Sequence, residues 1–149
     1  MVGDHTTHSA PCLFPTGAPL MELSEYFEKA KGLGVLATVN GCGHVDTALY
    51  SRPHFMEDGT VAFVMKNRLS HANLQANPFA SYLFVEKGPG YQGKRLYLRK
   101  VGEEQGSERL HRLRRRQALS DIDPNDNPHF LVFFELEQVR PLVGDSEQA

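Results

Sequence analysis

VDTALYSRPHFMEDGTVAFVMKNRLSHANLQANP, residues 45–78, is the stretch on which the reading of this chain turns. Val45, Thr47, Leu49 and Ser51 alternate with Asp46, Ala48, Tyr50 and Arg52, the period of a strand with two different faces. Pro53 has no backbone donor, so the strand bends or lies free there. Glu57-Asp58-Gly59 is a turn, and residues 60–66 form the returning strand. The pattern then becomes helical. Ser70 has the chemistry of a helix cap, Ala72, Leu74 and Ala76 favour helix, and Asn77-Pro78 ends it. A strand, a cationic corner, a return strand and a helix opened by a hydroxyl residue together make a cradle for a phosphate.

Outward from this stretch, Leu20, Leu23, Phe27 and Ala30 recur at helical spacing, with Glu22 and Glu25 early and Lys29 and Lys31 late. Residues 35–40 read as a strand, and Gly41-Cys42-Gly43 as the tight turn into the strand over 44–52. Residues 80–86 and 94–101 are two more strands around a glycine-rich tip. A helix from about Ser107 to Gln117 carries Leu110 and Leu113 on its apolar side, and residues 130–139 are the sixth strand. Residues 1–18 read as an irregular arm, and residues 121–128 as a polar loop. No repeat or linker divides the chain, which reads as one domain over 1–149. Six short strands and brief helices predict a mainly β protein, an antiparallel barrel closed or nearly so; a sandwich fits the same pattern.

Composition narrows the functional classes. The chain is 40% hydrophobic and 23% charged with a formal net charge of −2, a globular balance unlike that of a basic nucleic-acid binder. The arginines at 112 and 114–116 have the spacing of a solvated helix face. Glu103, Glu104, Asp145 and Glu147 read as surface acids. No apolar run approaches the ~20 residues that cross a bilayer, and residues 1–17 do not read as a signal peptide, so a cytoplasmic location away from membranes is expected. Cys12 and Cys42 read as free thiols. His5, His8 and Cys12 lack an evident fourth ligand, so no metal is expected.

Motifs for a catalytic serine, a Gly-rich phosphate loop or a dinucleotide fold are missing, so an enzyme of this sequence would take its reactive atoms from a cofactor. Arg52 stands at a strand end where the backbone leaves the sheet, and its planar fork suits a phosphate. Lys66, Arg68, Ser70 and His71 follow one hairpin later. Which of Ser70, His71 and Lys66 shares an anion with Arg52 stays open.

The order Gly-Val-Leu-Ala-Thr-Val-Asn (34–40), Arg-Pro (52–53), Thr-Val-Ala-Phe-Val-Met-Lys (60–66) and Leu-Gln-Ala-Asn-Pro (74–78), followed by an apolar strand, resembles the pyridoxamine 5′-phosphate oxidase-like, FMN-binding split barrels over residues 20–140. The resemblance implies a six-stranded split barrel, a homodimer, and FMN in the groove between subunits. It implies that Arg52, Pro53, His54 and Phe55 line the flavin and its ribityl phosphate, with Val64, Met65 and Lys66 alongside, mostly through backbone. Relatives carry a phosphate-binding lysine where this chain has Ser70, or His71 with one residue of slip; Lys66 and Arg68 are possible substitutes. Lys94 and Arg95 fall where relatives reach the partner's FMN. The oxidases also use a C-terminal segment with tryptophan to grip their substrate, and this chain has no tryptophan. The resemblance therefore implies an FMN-dependent oxidoreductase or flavin reductase with a small-molecule electron donor or acceptor. The alternative is a non-catalytic holder of flavin, haem or deazaflavin.

Overall fold

Burial follows the alternation read from the sequence over residues 35–39, 45–49 and 94–98. In the computed structural model, which describes residues 20–116 and 129–144 (the side chains of 114–116 excepted), Leu36 and Thr38 of the first strand point inward, while Val35 and Ala37 lie on the other face. The expected arm, the loop 121–128, His5, His8, Cys12, Asp145 and Glu147 lie outside the described residues.

The elements run α1 (Leu20–Lys29), β1 (Gly32–Val39), β2 (Val45–Leu49), β3 (His54–Phe55), β4 (Val61–Lys66), α2 (Leu69–Ala76), β5 (Phe79–Glu86), β6 (Gly93–Gln105), α3 (Glu108–Arg116) and β7 (His129–Pro141). They make one sheet in the order β2-β1-β5-β6-β7-β4-β3, with every neighbour antiparallel. The sheet has seven strands where six were expected. The extra one is β3: Pro53 interrupts the line of β2, and His54 and Phe55 then pair with Ala62 and Val61.

Leu36, Val61, Phe63, Met65, Tyr82, Phe84, Leu96, Leu98, Val132 and Phe134 converge on one interior, closed at one end by Leu23 and Phe27 of α1. A smaller cluster forms outside the sheet, where Leu110 of α3 covers Ala62, Leu131 and Phe133. Ser107 caps α3, its Oγ accepting from the Leu110 N–H at 3.1 Å.

The two edge strands, β2 and β3, do not pair with each other, which is the split. Tyr82, fully buried on β5, spans part of the gap: its hydroxyl lies 3.3 Å from the Tyr50 carbonyl and 3.2 Å from that of Ser51. The phenol reaches them only because residue 34 is glycine. A Cβ on Gly34 would sit 1.9 Å from Tyr82 Oη.

β6 extends to Gln105, beyond the expected end at Val101, and changes register against β7 between Lys100 and Gly102. Lys100 pairs with Phe134 and Gly102 with Phe133, so Val101 is the extra residue of a bulge.

Candidate functional site

Two features meet where β4 runs into α2. The short β3 covers β4 only at Val61 and Ala62, so among the described residues that edge of β4 has no strand partner over residues 63–66. After the turn at Asn67, α2 begins. Its cap position is Arg68, in extended conformation, rather than the expected Ser70, and among the described residues no side-chain cap bond is made to the first turn. Ser70 is instead the second helical residue and is buried, because α2 turns its small polar side chains inward. The helix start thus presents unanswered N–H donors and the positive end of its dipole, flanked by the exposed Arg68 and by Lys66.

Tyr50 stands behind this start, its ring edge-on to Phe63 at 6.1 Å. Burial pushes the Tyr50 phenol upward, and its hydrogen bond with Ser70 and the nearby Arg68 act in the opposite direction.

The expected site residues do not all come together. Lys66, Arg68, Ser70 and His71 come together at the start of α2. Arg52, Pro53, His54 and Phe55 line an open groove of about 1030 Å³ between α1 and α3, with Arg109 and Arg112 opposite. The Arg52 guanidinium faces α1, donating to the Phe27 carbonyl and, at 3.2 Å, to that of Glu28. It therefore answers carbonyls that the helix end leaves open. Phe55 lies against the Phe27 ring at 5.9 Å and 28°. Val64 packs under α3 and Met65 is in the interior, so both can offer a ligand backbone only. Lys94 sits over the Tyr26 ring at 4.8 Å, and Arg95 is braced by the carbonyls of Pro141, at 2.9 Å, and Gly144.

His71 points away from the helix start. Its Nε2 lies 3.0 and 3.2 Å from the two Glu103 oxygens, and its ring stacks on Phe130 at 3.9 Å and 12°. Glu103 also accepts from Lys100 at 2.9 Å and from Gln75 at 3.2 Å. Burial alone would raise the Glu103 carboxyl; the hydrogen bonds from Lys100, Gln75 and His71 outweigh it and hold the group below the ordinary range. Glu103 is thus corrected from a solvated acid to a structural partner, whereas Glu104 stays at the surface, accepting from Arg109 at 2.6 and 3.2 Å. Among the described residues no cluster of metal-ligating side chains occurs, and no helix is long and apolar enough to cross a membrane.

No protein-family model matches the chain, and no curated protein matches it by sequence. Solved structures do match. An FMN-binding protein from Syntrophomonas wolfei is 18% identical over 84% of this chain and 92% of its own, with a TM-score of 0.62. HupZ of Group A Streptococcus is 14% identical over 89% of this chain and 100% of its own, with a TM-score of 0.65. A pyridoxamine 5′-phosphate oxidase-related, FMN-binding protein from Nostoc punctiforme is 14% identical over 82% of each chain, with a TM-score of 0.58. At such low identity the likeness is one of fold: this chain has the split-barrel architecture that these proteins share.

Proposed function

We propose that the chain is an FMN-binding flavoprotein working as a homodimer, and that it passes hydride or electrons between small molecules. The observation that carries this reading is the join of β4 and α2, within a fold that known FMN-binding proteins share. There a strand edge without a strand partner leads directly into an uncapped, cation-flanked helix start. The donor set fits the cofactor: first-turn amides, Arg68 and Lys66 for the phosphate, and the open edge of residues 63–66 for the polar rim of the ring. Val64 and Met65 take part through backbone, as their side chains are packed elsewhere. Ser70 and His71 shape the cradle from behind, while the groove lined by Arg52 to Phe55 lies between α1 and α3 and includes none of the cradle residues.

A second subunit is supported by an apolar face on the outside of the sheet. Val45 is 70% exposed, Leu49 68%, Leu33 56% and Phe79 51%. Val35 joins them, flanked by Leu49 of β2 on one side and Leu83 of β5 on the other. Arg95 pairs with Leu83 on the same face, so a twofold contact there would bring its backbone and side chain toward the partner's groove.

Bound FMN supplies the redox chemistry at its ring. The chain's own part is to hold the phosphate, orient the ring against backbone donors and exclude water with the second subunit. Oxidation of pyridoxamine phosphate itself is not proposed, since the chain lacks the tryptophan used by the oxidases to hold it. We place the protein in the cytoplasm, where the exposed Cys42 thiol stays reduced.

Titration with FMN, followed by flavin absorbance and fluorescence, tests the reading. Uptake at micromolar concentration, and reduction by a nicotinamide donor, are expected. A colourless protein that takes up no FMN overturns it; uptake without turnover reassigns the chain as a flavin holder.

A further inference from the structure

α2 is docked by polar groups. Among its buried residues Leu74 is the one apolar side chain; Ser70, His71 and Asn73 are the others. Apolar contact is non-directional and would let an eight-residue helix slide over the sheet, whereas hydrogen bonds fix both position and rotation. Two anchors do this. Asn73 Nδ2 donates to Thr38 Oγ1 of β1 at 3.0 Å. On the other flank His71 meets Glu103 of β6 at 3.0 Å while lying flat on Phe130 of β7. Gln75, one turn on, joins the second anchor by donating to the His71 carbonyl at 3.1 Å and to Glu103 at 3.2 Å.

The second anchor depends on the β6 bulge. In an unbroken strand residues three apart point to opposite faces. With Val101 inserted, Lys100 and Glu103 come to one side, and Lys100 Nζ reaches Glu103 Oε1 at 2.9 Å. The bulge thus aims a carboxylate, already oriented by a lysine, at the first turn of α2.

We propose that His71 is the positioning residue of the phosphate cradle: Glu103, aimed by the bulge, grips the imidazole and so fixes where the first-turn amides stand. This rests on the FMN reading above. The imidazole does not itself touch the phosphate, because a carboxylate occupies the space beside Nε2. His71 Nε2–H donates to Glu103, and the helix start, Arg68 and Lys66 face the ligand.

The test compares FMN with riboflavin, which lacks the phosphate, on the full chain. His71→Phe keeps the stack on Phe130 and loses the donor; FMN affinity should fall about tenfold or more while riboflavin affinity stays unchanged. His71→Gln returns an N–H donor for Glu103 and should recover most of the loss. Glu103→Ala separates positioning from simple charge. Removing a negative group near an anion would tighten FMN, whereas loss of the anchor weakens it. Equal loss of both flavins in His71→Phe, unchanged FMN affinity, or tighter FMN in Glu103→Ala overturns the proposal while the FMN reading stands. A wild-type chain that takes up no FMN overturns both. Should His71→Phe fail to fold, His71→Gln and Glu103→Ala decide the question.

Discussion

Arg52, singled out in the sequence for its fit to a phosphate, is held in the structure by the end of α1. Its guanidinium is bound to the last carbonyls of α1, a favourable place for a cation at the negative end of a helix. Arg52→Ala should therefore lower the stability of the flavin-free protein by about 1–2 kcal/mol, measured by urea unfolding. If the arginine also reaches the phosphate, FMN affinity falls more than riboflavin affinity. Glu103 supplies a second prediction. Its carboxyl is held below its ordinary value of 4.5, so it adds stability that is complete above that pH and is lost as pH falls through the lowered value. Acid unfolding should then show a shallower loss of stability below about pH 4.5 in Glu103→Gln than in the wild-type chain.

At the level of elements, α2 differs from α1 and α3 in what holds it down. α1 inserts Leu23 and Phe27 into the interior and α3 inserts Leu110 into the outer cluster, whereas α2 leans on directional bonds. Asn73→Ala leaves Thr38 Oγ1 buried without that partner and should cost about 1–3 kcal/mol by chemical denaturation. These differences mark where the sequence was and was not legible. Period-two alternation in β1 and β6 reported the interior correctly, because one face of each is buried and the other is not, whereas β4 and β7 bury runs of consecutive residues. β3 has two residues and so no period to read. The bulge at Val101 was hidden as well: Lys100 and Glu103 look like solvated charges until the pairing with β7 shows one residue too many. Ser70 has the better capping chemistry, yet Arg68 holds the cap position, because the helix uses Ser70 and Asn73 against the sheet. The positive character of the site was legible; which groups face outward was set by tertiary contacts alone.

For the whole molecule, the uncovered face of β2, β1 and β5 is what a monomer would be expected to hide. Leu49→Lys places a charge on that face, on the edge strand beside Val35, without touching the interior. On the proposed homodimer, light scattering should find the variant monomeric, with its melting transition cooperative and its FMN uptake sharply reduced, because half of each proposed groove would be missing. A dimeric Leu49→Lys would place the subunit contact elsewhere.

The contact between Gly34 and Tyr82 makes these two positions answer to each other. Alanine at 34 alone would thrust a methyl group into the phenol ring, whose Cζ lies 2.4 Å from the added carbon, and into the Tyr50 carbonyl at 2.8 Å. Shortening residue 82 in the same chain removes the larger of these collisions. A double-mutant cycle on Gly34→Ala and Tyr82→Ala should therefore show the pair costing less than the sum of the singles. A substitution at one site then changes which substitutions the other tolerates, so these positions are free to drift only as a pair.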